Sequence, residues 1–185
     1  MKTAVRVRTA TPADARAIAG IHVETWQAAY AGIVPDSYLV NMTVPRVLQH
    51  WRAILDDPNN IETVLVAEAH PRGERRRIVA FGSCGPERTS RLGYGGEVYT
   101  LYVSPDWQGE GTGGQLFADL LARVHKEGGK TAVVWVLAEN PARFFYEHMG
   151  GQAVAHRRTP FAGEPLRETA YAWPDLAGWL AQMRG

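Results

Sequence analysis

The sequence predicts an α/β (α+β) fold: a mixed, mostly antiparallel sheet of about seven strands, about four helices, and one central parallel β-α-β crossover. Three observations predict it. Runs rich in β-branched and aromatic residues recur along the chain, and apolar stripes at helical spacing separate some of them. The central strand–helix–strand run over residues 97–137 reads as a right-handed parallel crossover within an otherwise antiparallel sheet.

Residues 4–9 alternate Val5 and Val7 against Arg6 and Arg8, as a half-buried strand does. Thr11 and Pro12 then read as the cap and first position of a helix whose stripe is Ile18, Ile21, His22, Thr25 and Trp26. Gly32 and Pro35 break it, and a second helical region carries Val47, Leu48, Trp51, Ile54 and Leu55. Residues 63–69 and 77–84 are two strands joined by an arginine-containing hairpin loop at residues 71–75. A polar loop over residues 88–96 leads to the strand at 97–103, which Pro105 ends. Leu116, Phe117, Leu120, Leu121 and Val124 mark a helix from 113 to 126, closed by Gly128 and Gly129. An apolar strand at 131–137, a short helix at 141–149, and strands near 152–158 and 167–173 complete the order.

A length of 185 residues matches about one domain, and no linker, repeat or low-complexity segment divides it, so residues 1–185 are expected to form a single unit. Twenty basic and nineteen acidic side chains leave a formal charge of +1, which provides no global field for nucleic acid or an anionic membrane. The single cysteine, Cys84, rules out an internal disulfide and a paired-thiolate metal site; no metal is expected and a cytoplasmic location is. Cys84 lies in a β-rich run without an activating cation, so it reads as a small buried residue and not as a nucleophile. No apolar run is long enough for a membrane span or a secretion signal.

The chemistry concentrates between the strand at 97–103 and the helix after it. Gly109, Gly111, Gly113 and Gly114 fall where a helix begins, so backbone N–H groups and the positive end of the helix dipole face a site cleared of side chains, as a diphosphate requires. Gly109, Gly111 and Gly114 formally satisfy a dinucleotide fingerprint. The hairpins before them and the single crossover after them do not fit a doubly wound nucleotide fold. Gln115 stands where a P-loop needs its lysine.

With Gln108, Gly111 and Gly113 opening the helix, the segment resembles the acyl-CoA motif of the GCN5-related N-acetyltransferase (GNAT) superfamily. The order of elements resembles that family over most of the chain. The resemblance implies a GNAT-like fold with acetyl-CoA as cosubstrate. It places pantetheine along Leu101, Tyr102 and Val103, and the diphosphate on Gln108, Gly109, Glu110, Gly111, Thr112, Gly113 and Gly114. An extended arm bearing two amides pairs with a strand edge as an added strand would. Residues 139–151 resemble the family's second cofactor motif, which implies that Asn140 bonds the pantetheine arm, that Phe145 lies beside it, and that Tyr146 stands near the sulfur. Phe144 and Phe145 also read as core aromatics.

Acetyl transfer to an amine needs the neutral nitrogen, so a base must take a proton. Glu97 matches the family's carboxylate position and is the expected base; Tyr146 is the expected acid toward the departing thiolate, and the amide near Val103 the expected oxyanion donor. The expected reaction is direct transfer in a ternary complex to a primary amine, either a small molecule or a peptide. A non-catalytic acyl-CoA sensor is the alternative. The family's acceptor site implies Glu24, Trp26 and Tyr30 as substrate contacts, although Trp26 and Tyr30, four apart, also fit a core stripe. His22 reads as a packing histidine. The sequence leaves the oligomeric state open; members of the family it resembles often pair, and the final hairpin and the helix of Trp179 could serve a homodimer contact.

Overall fold

The computed structural model describes residues 5–70 and 75–184. The first position of the predicted opening strand, residue 4, and most of the predicted loop at 71–75 lie outside the described residues. The strands are β1 (Val5–Thr9), β2 (Thr63–Ala69), β3 (Arg77–Gly85), β4 (Gly96–Val103), β5 (Ala132–Leu137), β6 (Gln152–Phe161) and β7 (Glu164–Trp173). They form one sheet in the order β1-β2-β3-β4-β5-β7-β6. Every neighbouring pair is antiparallel except β4 with β5, so the predicted single crossover is present.

Among the described residues there are six α-helices where about four were expected: α1 (Ala15–Ala29), α2 (Asp36–Asn41), α3 (Val44–Asp56), α4 (Thr112–Lys126), α5 (Arg143–His148) and α6 (Leu176–Arg184). α2 is six residues long, too short to show a stripe in the sequence. α1 starts later than Thr11 predicts, because residues 12–14 form a 3-10 turn. There Asp14 accepts hydrogen bonds from the Thr11 N–H (2.8 Å) and hydroxyl (3.0 Å). The Arg8 guanidinium donates to Asp14 at 2.8 and 3.0 Å and holds its carboxyl below the usual range.

β6 and β7 both run further than predicted, pairing from Gln152↔Ala172 to Phe161↔Glu164. Pro160 faces Pro165 across this hairpin, so the two prolines that marked a loop in the sequence sit inside paired strands at the sheet's edge.

Two cores flank the sheet. On one face α4 covers the strands with Leu116, Phe117, Leu120 and Leu121, each fully buried, beside Trp173 and Leu176. On the other, α1 and α3 close over Ile18, Ala19, Trp51, Val66 and Phe81.

One departure from a regular sheet positions the site. β4 pairs with β5 only from Gly96↔Ala132 to Val98↔Val134. β4 continues to Val103 along β3, and β5 continues to Leu137 along β7. The two strands diverge into a wedge whose apex lies just past Val98 and Val134. A bulge contributes: Cys84 faces Val98 and Ser83 faces Thr100, leaving Tyr99 as the extra residue.

Candidate active site

The wedge opens into a cavity of about 980 Å3. Tyr99 through Val103 of β4 line one side, Val134 through Leu137 of β5 the other, and the glycine turn closes one end.

That turn is built by the sequence. Val103 ends β4, residues 105–107 make a 3-10 turn anchored by buried Trp107, and Gly109 (φ 75°) and Gly111 (φ 90°) adopt the left-handed backbone that glycine tolerates. The first turn of α4 is closed by the Gln115 N–H donating to the Gly111 C=O (3.0 Å). The N–H groups of residues 111–114 therefore lack intrahelical acceptors, and no side chain caps them. A Cβ on Gly109 or Gly111 would meet open space. These features fit a diphosphate. Gln108, Gly109, Gly111, Gly113 and Gly114 line the cavity; Glu110 and Thr112 belong to the turn without lining it. The Gln108 amide donates to the Val103 C=O at 3.0 Å, tying the turn to the end of β4.

Tyr146 and Phe145 of α5 line the cavity where β5 ends. Tyr146 is buried, and burial, followed by the neighbouring Tyr30, pushes its phenol well above the ordinary tyrosine range. At neutral pH it is a proton donor. Asn140 also lines the cavity and is 5% exposed. Its Oδ1 accepts the Ala142 N–H at 2.9 Å, and its side chain also reaches the Tyr30 hydroxyl. Asn140 thus joins α1 to the end of β5, and both ends of its amide are engaged within the protein.

Trp26 and Tyr30 also line the cavity, their rings stacked with centroids 4.3 Å apart. The Trp26 indole donates to the Tyr102 hydroxyl at 2.9 Å, which in turn reaches Tyr30. Phe161, at the tip of the final hairpin, stands 5.9 Å from Trp26 and 4.5 Å from Tyr38, closing the aromatic end. Glu24 is not among the lining residues; it is exposed and accepts a hydrogen bond from the Ser104 hydroxyl at 3.1 Å.

Glu97 stands apart from the role expected of it. Its side chain is 1% exposed, and its carboxylate accepts the Arg88 backbone N–H (3.0 Å) and Nε–H (3.0 Å). Arg88 lines the cavity, and Glu97 lies behind it. The carboxylate that does line the cavity is Glu168 of β7, whose Oε2 accepts the Arg157 Nε–H at 2.6 Å and the Thr159 hydroxyl. Sequence reading missed Arg88, Tyr99, Trp135, Phe161 and Glu168. Glu168 carried no signal of its own, because its pairing with Arg157 is a matter of register between β6 and β7.

Several other side chains have clear surroundings. His22 is a packing histidine, accepting the Trp51 indole N–H at its Nδ1 (3.1 Å). Phe144 is 55% exposed under the Arg143 guanidinium, and only Phe145 joins the core. Cys84 is fully buried and its thiol is pushed up to about 12, which keeps it unreactive. Trp179 donates to the Met149 C=O at 2.8 Å and packs, partly buried, on the core. Among the described residues, no group of three His, Cys, Asp or Glu could hold a metal ion, and no helix is long and apolar enough to cross a membrane.

Comparison with known proteins agrees with this geometry. Residues 89–159 match the family described as FR47-like protein. The chain is 31% identical over 173 residues to the uncharacterized N-acetyltransferase YuaI of Bacillus subtilis (strain 168), covering 94% of this chain and 95% of that protein. Among solved structures, a GCN5-related N-acetyltransferase from Rhodopseudomonas palustris superposes with a TM-score of 0.69 at 23% identity, covering 93% of this chain and 97% of the other. The yncA protein of Salmonella typhimurium, solved with its cofactor acetyl-CoA, gives 0.65 at 23% identity, covering 94% of each chain. The glycine turn at the mouth of a split sheet and the likeness to YuaI along nearly the whole length agree: the chain belongs to the GCN5-related N-acetyltransferase superfamily.

Proposed function

We propose that this protein transfers an acetyl group from acetyl-CoA directly to a primary amine, both substrates being bound together. The observation that carries the reading is the wedge between β4 and β5, with unpaired helix N–H groups at its mouth and a buried phenol along its wall. When bound, acetyl-CoA supplies an acyl carbon activated as a thioester.

The chain's own groups have separate tasks. The N–H groups of residues 109–114 receive the diphosphate without side-chain obstruction. The β4 edge from Leu101 to Val103 pairs with the amides of the pantetheine arm, and the backbone near Val103 donates to the carbonyl oxygen as it gains charge. Tyr146 keeps its proton until the thiolate leaves and then donates it. Among the carboxylates of the wedge, Glu168 takes the proton from the incoming ammonium, directly or through a water. Glu97 holds Arg88 in place. Trp26, Tyr30 and Phe161 enclose the body of the acceptor.

The test is release of free thiol from acetyl-CoA across a panel of primary amines. Thiol release that depends on the amine and falls in Tyr146→Phe supports the reading. Tight CoA binding with no release for any amine overturns it in favour of a sensor.

A further inference from the structure

Two matching assemblies flank the apex of the wedge. Tyr99 and Trp135 are the first residues beyond the last paired rung, Val98↔Val134. Each ring carries a guanidinium: Arg88 lies 4.5 Å from the Tyr99 centroid, and Arg157 lies 3.9 Å from that of Trp135. Each guanidinium is held from behind by a glutamate, Glu97 for Arg88 and Glu168 for Arg157.

Arg88 is fixed with unusual care. Glu97 takes its Nε–H, one Nη2–H and its backbone N–H. The loop that bears it is organised by Glu87, 7% exposed, which accepts the Thr89 hydroxyl (2.9 Å), the Leu92 N–H (3.0 Å) and the Tyr94 N–H (2.8 Å). Tyr99 is held by its own hydroxyl, which donates to the Pro86 C=O at 2.6 Å. A guanidinium has five N–H groups in a planar fork, and the bonds to Glu97 leave Nη1 free. Arg88 is half exposed, and the space it faces is the cavity.

The opposite pole is Glu168, which is paired with Leu137, two residues along β5 from Trp135 or about 7 Å at strand rise. Its Oε2 is committed to Arg157 and Thr159.

We infer that the acceptor amine also carries a carboxylate, as an amino acid does, and that Arg88 receives that carboxylate while Glu168 faces the ammonium. This rests on the acetyltransferase reading and specifies its substrate. A neutral amine would leave the free guanidinium edge unmatched. A zwitterion pairs both poles, and its side chain turns toward Trp26, Tyr30 and Phe161.

The test compares amino acids with their own carboxamides, which keep the amine and side chain and lose only the anion. Thiol release is measured for leucine, methionine and phenylalanine against the three amides. Because losing the carboxylate also lowers the ammonium pKa, rates are compared per neutral amine, and the acids are expected to exceed the amides by roughly tenfold or more in kcat/KM, chiefly through KM, the scale of a charge-assisted hydrogen bond. Because Arg88→Met strands the buried Glu97, Arg88→Met/Glu97→Gln is made beside it. In the double variant the acid-to-amide ratio is expected to collapse toward unity while CoA still raises the melting temperature. Amides used as well as acids by the parent overturn the inference, as does a ratio that survives in the double variant. Both outcomes leave acetyl transfer standing, whereas absence of thiol release with every amine removes the underlying function instead.

Discussion

Replacing Gly111 by alanine probes the diphosphate cradle with two separable effects. Gly111 caps α4 at φ 90°, and a Cβ there meets nothing within 4 Å, so the cost in the free protein is conformational and not steric. A left-handed L-residue costs about 1–2 kcal/mol. For a chain of 185 residues, about 2–4 °C per kcal/mol gives a fall in melting temperature of roughly 2–8 °C. The second effect appears only with ligand. CoA at a hundred times its Kd stabilises the parent by about 2.7 kcal/mol, or roughly 5–11 °C. The added methyl projects into the space reserved for phosphate oxygens, so most of this rise is expected to vanish in Gly111→Ala. Differential scanning calorimetry with and without CoA reads both numbers. A variant with the lowered baseline and the parent's full CoA-dependent rise would refute the cradle.

Three other outcomes follow. Tyr146→Phe keeps the packed ring and is expected to lower kcat by roughly 10²- to 10⁴-fold with little change in melting temperature; a parental kcat would remove the acid role. Glu97→Gln leaves Arg88 without its counter-charge and should cost about 1–3 kcal/mol, moderated because Arg88 is half exposed, while the CoA-dependent rise persists; an unchanged denaturation midpoint would contradict its supporting role. His22 is held down to about 4 by burial, with His50 adding to the effect, against 6.5 in the unfolded chain. The unfolded chain therefore takes the proton first, and stability that is complete above pH 6.5 declines as pH falls toward 4, by at most about 1.4 kcal/mol per pH unit. Urea midpoints measured over that window should decline less in His22→Gln than in the parent, and equal declines would exclude His22 as the cause.

The parts of the fold written in local periodicity were legible. The strand before the glycine turn, the stripe of α4 and the apolar run of β5 all owe their form to neighbours within a few positions, and each was found within a residue or two of its expected ends. The same holds for the glycine turn, which joins the first two of those elements. What depends on pairing was hidden. The bulge that frees Tyr99 arises from register against β3, and the wedge from β4 and β5 following different partners. Without these, nothing in the order of residues distinguishes Glu97, tucked behind Arg88, from Glu168, which faces the cavity. Phe144 misled for a related reason: on a helix of six residues, adjacent aromatics give no phase, and only packing against Phe117 selects Phe145.

The three rungs that join β4 to β5 are a seam through the middle of the sheet. On one side lie the first four strands and on the other β5, β7 and β6, each zipped firmly to its own neighbours. An extended thioester laid into the gap serves as a splint, bridging halves that the backbone leaves ajar. Occupancy should then stiffen the domain across its width, slowing amide exchange in residues 99–103 and 135–137 together, and coupling the grip on one substrate to the shape offered to the other.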